Sequence, residues 1–109
     1  MDAREERLAK NEVLFREVNE RIEEAAETFD VEGHVFEFIC ECSNADCNLR
    51  VPLTIAQYEE ARSDSAQFVI APGHELPEIE HVVLRARDYQ IVRKEGPAAD
   101  LADEQDPRS

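Results

Sequence analysis

The sequence lacks the features that identify several common classes of protein. No apolar run approaches the roughly 20 residues of a transmembrane helix. The charged first residues, Arg4 and Arg7 among them, lack the apolar region of a secretory signal peptide. The sequence also contains no glycine-rich phosphate loop, no Ser-His-Asp pattern and no His-x-Glu deaminase motif. These absences predict a cytoplasmic protein and indicate no catalytic motif.

Basic residues are scarce. The chain has 12 lysines and arginines against 26 aspartates and glutamates, which gives a formal net charge of −14. Nucleic-acid binding depends on clustered lysine and arginine, and anionic membranes attract the same residues. Nucleic acid and membrane are therefore not expected partners, and a zinc-ribbon nucleic-acid binder is disfavoured. Solubility or salt tolerance is the simplest explanation of the acidity.

The length of 109 residues is enough for one domain. Segment 95–109 consists mainly of Gly, Pro, Ala, Asp and Glu, and Leu101 is its only large apolar residue. This composition predicts a disordered acidic tail. Residues 1–94 are then the single folded domain, and a bound metal would be a useful addition to its small core.

Residues 2–29 are predicted to form one long helix, because helix-forming residues dominate and neither Gly nor Pro occurs before Gly33. Apolar residues follow a heptad spacing, with Asn11 in one of its positions: Leu8, Phe15, Val18, Ile22, Ala25 and Phe29. Val13 and Leu14 widen this stripe, which favours packing of the helix on its own sheet. Self-association as a coiled coil, or contact with a protein partner through the same helix, is the alternative.

Strands and one short helix are predicted downstream. The alternation over residues 34–42 is typical of a strand, and Thr54 with Gln57 forms a capping box for a short helix that ends near Arg62. Further extended segments are predicted at 48–53, 67–71, 82–87 and 89–93. This order predicts an α+β domain in which the long N-terminal helix packs on a small, mainly antiparallel sheet, with one short second helix and a zinc knuckle.

Three cysteines, Cys40, Cys42 and Cys47, lie within eight residues. Cys40 and Cys42 are two apart on the predicted strand, so their sulfurs point to one side, and the turn at 43–46 can return Cys47 to them. An odd, closely spaced set is a poor disulfide framework in a reducing compartment. A divalent cation would cancel the repulsion between the thiolates, and zinc prefers four tetrahedral ligands. An iron–sulfur cluster is the alternative.

His74 is the strongest candidate for the fourth ligand. It follows Pro72 and Gly73, which suit the central positions of a type II turn that presents the next side chain at a defined place. The sequence therefore predicts one zinc ion between the three cysteines and His74.

The other candidates for the fourth ligand are His34, His81 and Asp46. His34 lies about 20 Å from Cys40 along an extended strand, at about 3.3 Å per residue. His81 begins a predicted strand and has no turn beside it. Asp46 is close to the cysteines but is better explained as a turn residue, or as a hydrogen-bond acceptor that supports the ligand residues without binding the metal.

Segment 36–94 resembles a set of small, uncharacterised bacterial proteins. They share an aromatic-x-Cys-x-Cys-x4-Cys pattern, then Leu-Thr-x-x-Glu/Gln-Tyr-Glu, an arginine, a strand and Pro-Gly-His. The residues of this sequence that carry the resemblance are Phe38, Cys40, Cys42, Cys47, Leu53, Thr54, Gln57, Tyr58, Glu59, Arg62, Pro72, Gly73 and His74. Segment 15–22 also resembles their leading helix. The resemblance implies that the cysteines and His74 belong together, and it implies no particular activity.

These features predict a small cytosolic zinc-binding protein that acts as a non-catalytic interaction or regulatory module. If protein atoms fill all four positions around the ion, none remains for an activated water. If His74 does not bind, three cysteines and a water could be catalytic, or the thiols could be redox-active. The alternative function is therefore a thiol- or metal-dependent enzyme, or a redox sensor that uses the cysteines.

Overall fold

The computed structural model describes residues 2–29 and 33–108 and confirms an α+β fold. Its elements in chain order are α1 (Ala3–Glu27), β1 (Val35–Ile39), β2 (Arg50–Thr54), α2 (Ile55–Ala61), β3 (Gln67–Ile70), β4 (Glu80–Arg85), β5 (Gln90–Lys94) and α3 (Gly96–Glu104). Strands β1 and β2 pair antiparallel in one sheet. Strands β3, β5 and β4 form a second antiparallel sheet in that order. The prediction of a single sheet and of one short second helix is therefore corrected to two sheets and three helices within residues 2–29 and 33–108.

The two sheets meet in the segment that follows β1. The backbone N–H of Cys40 donates to the carbonyl of Leu49 (3.0 Å), next to β2, whereas the N–H of Glu41 donates to the carbonyl of Val69 in β3 (2.8 Å). The chain thus passes from one sheet to the other within two residues. The alternation over 34–42 predicted one continuous strand, but this change of pairing partner ends β1 at Ile39.

Helix α2 forms as predicted. The Oγ1 atom of Thr54 accepts from the Gln57 backbone (3.1 Å), and the Gln57 side chain accepts from the Thr54 backbone (2.9 Å), which completes the capping box. On the buried side of α2, the Tyr58 ring stacks on Phe38 of β1 with ring centroids 4.6 Å apart. The helix therefore joins the first sheet to the core.

Helix α1 packs on the body of the protein, but through only part of the predicted apolar stripe: Val13 is buried in the core, and Leu8 and Ile22 pack partly buried against core clusters. Its buried residues are Ala9, Glu12, Val13, Arg16, Asn19, Glu20, Glu23 and Ala26. In the predicted stripe, Val18, Ala25 and Phe29 are exposed. A prediction from hydrophobic periodicity assigns polar residues to the side of the helix that faces solvent. In α1 several polar residues are instead buried, together with polar partners from other elements. In the two described ranges, no helix has both the length and the apolar character that crossing a membrane requires.

Three charged side chains meet in the core beneath α1. The ammonium group of Lys94, which is fully buried, contacts one carboxylate oxygen each of Glu12 and Glu80, and it lies 5.1 Å from the centroid of the Phe68 ring. The second oxygen of Glu80 accepts from the Leu76 backbone (3.0 Å). Burial lowers the pKa of Lys94 and raises that of Glu80, and their mutual contact favours the charged forms. We call this set the buried ion trio (Glu12, Glu80 and Lys94).

The prediction of a disordered tail over 95–109 is wrong, because Gly96–Glu104 form helix α3. Ala98 is buried in a small cluster with Ala9 of α1 and Ile79. The Arg16 guanidinium donates to the carbonyl of Ala102 (2.7 Å). Composition misled because small alanine side chains let two helices approach closely, so α3 is held although Leu101, which packs against the same cluster, is its single large apolar residue.

Residues beyond α3 are held by ion pairs. Arg108 contacts Glu20 (2.5 Å), Glu23 (3.0 Å) and Glu59 (2.7 Å). Arg62, whose side chain is 1% exposed, contacts Asp106 at 2.5 Å. The C-terminal segment therefore closes over a largely buried polar layer between α1 and α2.

We expect the substitution Arg108→Ala to lower the free energy of unfolding by about 1–3 kcal/mol, because Glu20 and Glu23 lose a cationic partner where water replaces it poorly. Urea denaturation followed by circular dichroism measures the change. The matched control is Arg87→Ala at an exposed arginine, which should change stability by less than about 0.5 kcal/mol. Equal effects of the two substitutions would contradict the proposed anchoring.

Candidate metal centre

The structure brings together the four residues that the sequence predicted as zinc ligands. Cys40 and Cys42 lie in the segment between the sheets, Cys47 in the loop before β2, and His74 after β3. One ligand atom from each lies within 4.8 Å of all the others, in a group that could hold a metal ion. The Nδ1 atom of His74 is 3.7 Å from the sulfur of Cys40 and 3.8 Å from that of Cys47. We call this group the metal centre.

These separations can be compared with the size of a zinc tetrahedron. Zinc–sulfur bonds of about 2.3 Å and zinc–nitrogen bonds of about 2.05 Å give edges of about 3.8 Å between sulfurs and about 3.6 Å between sulfur and nitrogen. The measured sulfur–nitrogen distances of 3.7 and 3.8 Å agree with these edges. Three thiols and an imidazole nitrogen are also donors that zinc prefers. The residues present therefore fit one tetrahedral ion.

A tight turn presents His74 to the cysteines. The backbone N–H of His74 donates to the carbonyl of Ala71 (3.1 Å), which closes a turn around Pro72 and Gly73. Gly73 has φ +83°, the positive value that the third position of a type II turn requires. Its N–H donates to the Gln90 side chain of β5 (3.3 Å). The turn predicted from Pro-Gly is confirmed, and it is anchored on the second sheet.

The substitution Gly73→Ala tests this turn. No atom lies within 4 Å of an added Cβ, so the expected cost comes from the positive φ alone. We expect a loss of about 1 kcal/mol in stability and weaker zinc binding, because strain in the turn displaces His74. Gly33→Ala is the matched control, since Gly33 also has a positive φ (+82°) and open space around it but lies away from the turn. A competition titration with a chromogenic chelator measures zinc affinity, and equal weakening by both substitutions would contradict this role of Gly73.

The loop that returns Cys47 to the centre is built on Asn44. The side-chain oxygen of Asn44 accepts from the backbone N–H of Asp46 (2.9 Å). The backbone carbonyl of Asn44 accepts from the backbone N–H of Cys47 (3.0 Å). Asn11 of α1 donates to the carbonyl of Ser43 (3.0 Å) and fixes the start of the loop. Asn11 was the polar residue in the predicted heptad stripe, and its place there is explained by this contact.

Hydrogen bonds favour the thiolate form of one cysteine. A hydrogen bond with Cys40 lowers the pKa of Cys42 to about 5. Burial opposes this shift by raising the pKa, and a hydrogen bond with His74 lowers it further. The bond between the two cysteines, together with burial, raises the pKa of Cys40, although the Ala71 backbone also donates to the Cys40 sulfur (3.2 Å). The hydrogen bonds thus favour the thiolate form of Cys42, and a cation would favour deprotonation of the other thiols as well.

Helix α1 holds the cysteine segment through a link between Asn19 of the helix and Glu41 of the segment, neither of which belongs to a recognisable motif. Asn19 accepts from the Ile39 backbone N–H (2.8 Å) and donates to the Glu41 carboxylate (2.8 Å). The other oxygen of Glu41 accepts from the Val69 backbone (2.9 Å). Burial raises the pKa of Glu41 to about 7. No sequence signal indicated this link, because it joins residues that are remote along the chain.

The other candidate ligands lie elsewhere. The His34 ring packs against Phe36 with centroids 4.5 Å apart. His81 pairs with Glu95 at 2.6 Å. Asp46 is exposed on its loop, where Asn44 supplies the turn-forming oxygen. Among the candidates for the fourth ligand, His74 is the residue that the structure groups with the three cysteines.

Comparison of the chain with models of protein families, with curated proteins and with solved structures found no match in any of the three. The function proposed below therefore rests on the geometry of the metal centre. The resemblance to small bacterial proteins stays a prediction.

Proposed function

We propose that Cys40, Cys42, Cys47 and His74 bind one zinc ion and that this ion is structural. The observation that carries the proposal is the mutual separation of at most 4.8 Å among four ligand atoms. The two sulfur–nitrogen distances, from Cys40 and Cys47 to His74, have the edge length of a zinc tetrahedron. Ligands of an iron–sulfur cluster bind different irons and lie farther apart, so the spacing favours a single ion. When bound, zinc would tie the segment between the sheets to the turn after β3.

The same geometry supports a non-catalytic role. Four protein ligands leave no position for an activated water. The carboxylate of Glu41, the acidic residue between Cys40 and Cys42, is engaged by Asn19 and the Val69 backbone. We therefore propose a zinc-stabilised interaction or regulatory module that works in the cytoplasm. Its partner is a protein, or a second copy of the chain, bound through α1.

A redox role is the second candidate, favoured by the lowered pKa of Cys42 and the partial exposure of Cys47. A thiolate is the reactive form of cysteine, and access for an oxidant is its second requirement. The partly exposed Cys47 offers that access, whereas Cys40 and Cys42 are each only 2% exposed.

Elemental analysis with thiol titration tests the proposal. The full chain, purified without added metal, should contain one zinc per molecule, and its cysteines should react with a thiol reagent only after chelation. Iron in place of zinc would overturn the assignment of the metal. Rapid reaction of the thiols in the zinc-loaded protein would favour the redox role.

A further inference from the structure

A cavity of about 330 Å³ lies between the C-terminal half of α1, one residue of α2 and the segment that follows α3. Of the described residues that line it, five are glutamates, two are arginines and one is a proline. The glutamates are Glu20, Glu23, Glu24, Glu27 and Glu59. We call this space the acidic cavity, because its five carboxylates outnumber its two guanidinium groups.

One guanidinium group already lies against this lining. Arg108 contacts Glu20, Glu23 and Glu59 at distances of 2.5, 3.0 and 2.7 Å. A planar guanidinium offers five N–H donors, which suits several carboxylates at once. The contacts of Arg108 therefore show which kind of cation the lining accepts, but its single charge does not balance the glutamates.

Two of the carboxylates have oxygens that remain unused. The Glu23 side chain is 7% exposed and contacts Arg108 through its Oε1 atom, but its buried Oε2 atom has no hydrogen-bond partner among the described residues. Glu27 has no ion-pair partner in the same part of the chain. Burial and the nearby charge of Glu59 raise the pKa of Glu23 to about 7, although Arg108 lowers it. A second cation in the cavity would therefore be stabilising.

The end of α1 adds to this preference for a cation. Its last turn contains Glu24 and Glu27 and no basic residue, so these carboxylates lie at the negative end of the helix dipole. The net charge of −14 attracts basic partners over a longer range. Both effects favour a positively charged group at this end of the helix.

The lining also indicates the class of the cation. In the described ranges, the metal centre is the group whose ligand atoms converge closely enough for a metal ion, and the glutamates of the acidic cavity form no such group. Pockets for free small molecules are lined mainly by apolar and aromatic side chains, whereas Pro107 is the only apolar residue among the described lining residues. A basic side chain that another protein presents fits both observations.

We propose that the acidic cavity binds the guanidinium group of an arginine from a basic segment of a partner protein, beside Arg108. Glu23 and Glu27 supply the carboxylate oxygens that the chain itself leaves unused. Hydrogen bonds between a guanidinium and carboxylates are charge-assisted and therefore strong. This inference rests on the proposed function, because it names the chemistry of the partner that the module binds through α1.

Nuclear magnetic resonance titration of the zinc-loaded full chain tests the proposal, with the peptide acetyl-Gly-Arg-Gly-amide as the probe. At an ionic strength of about 0.15 M, we expect saturable shifts of the amide signals of residues 20–27 and a dissociation constant of about 1 mM. The same peptide with citrulline in place of arginine keeps the shape but loses the charge, and it should bind at least about tenfold more weakly. No saturation up to about 10 mM would overturn the proposal.

Glutamine variants locate the binding. Glu23→Gln/Glu27→Gln should raise the dissociation constant at least about tenfold. The matched control, Glu17→Gln/Glu37→Gln, removes the same number of charges at exposed positions outside the cavity and should change the constant less than about twofold. Glu27→Gln alone, at an exposed position, should weaken binding at least about threefold and keeps the test valid if the double variant does not fold. Equal effects of cavity and control variants would overturn the proposal, because they indicate a general attraction to the acidic chain.

Spermidine and magnesium chloride, titrated separately, test the class of the cation. If Glu23→Gln/Glu27→Gln weakens the binding of either one more than that of the peptide, the assignment to an arginine side chain is overturned. Zinc content measured on the same samples separates this inference from the zinc site. A protein with one zinc that does not bind the peptide overturns this inference alone, and a protein that binds the peptide without zinc overturns the structural zinc site alone.

Discussion

The substitution Cys42→Ser is expected to remove zinc and to destabilise the protein by at least about 3 kcal/mol, which lowers its melting temperature by more than about 12 °C. The reason is that metal affinity at a structural site contributes directly to folding stability. Here the ion would tie the segment between the two sheets to the turn that carries His74. Differential scanning calorimetry and elemental analysis of the same samples provide the two measurements.

Chelation supplies the internal check on this prediction. Removal of zinc should lower the melting temperature of the wild type to that of Cys42→Ser and should leave the variant unchanged. His74→Ala should weaken zinc binding and lower stability together, whereas the matched control His81→Ala, at an exposed histidine paired only with Glu95 in the described contacts, should do neither. Zinc retained at one per chain in His74→Ala, at unchanged affinity, would move the fourth ligand elsewhere.

The second large effect is expected at the buried ion trio. The substitution Lys94→Met leaves the carboxylates of Glu12 and Glu80 buried without their cation, and we expect a loss of about 3–5 kcal/mol in the free energy of unfolding. The triple variant Lys94→Met/Glu12→Gln/Glu80→Gln removes the charges together and should recover a large part of that loss. Urea denaturation measures both. A Lys94→Met protein as stable as the wild type would show that the trio contributes little.

The pH dependence of the Lys94→Met variant follows from the pKa of Glu80, which burial raises to about 7 even in the native protein. A carboxyl whose pKa is higher in the folded than in the unfolded state stabilises the fold when protonated, and this stability is lost as pH rises through the folded value. The deficit of Lys94→Met relative to wild type should therefore be smaller at pH 5 than at pH 8. A deficit independent of pH would point to lost packing of the lysine chain instead.

Local signals in the sequence were sufficient for several elements. The capping box at Thr54 and Gln57 predicted the start of α2, because both hydrogen bonds form between residues three apart. The Pro72-Gly73 pair predicted the turn before His74 for the same reason, since its geometry depends on two adjacent residues. The absence of Gly and Pro from the first 29 residues predicted α1 almost to its ends.

The orientation of α1 was not predictable from its apolar pattern. Heptad spacing placed Val18 and Ala25 on a continuous stripe, but the folded chain buries Arg16, Glu20 and Glu23. A polar residue can be buried when a partner satisfies it, and the partners here come from distant parts of the chain, such as Arg108 at the C-terminal end. The sequence does not show which remote charges will meet.

By itself, the sequence determined the α+β class, the long first helix, the second helix and the grouping of the cysteines with His74, because each depends on spacing or on turn chemistry over a few residues. Only the tertiary structure decided that the ligand atoms of Cys40, Cys42, Cys47 and His74 lie within 4.8 Å of one another, in a group that could hold a metal ion. It also decided that Asn19 holds the cysteine segment, that the tail folds as α3, and that Leu14 and Val18 of α1 stay exposed. These features depend on contacts between residues far apart in sequence, where buried polar groups find hydrogen-bond partners that no local pattern shows.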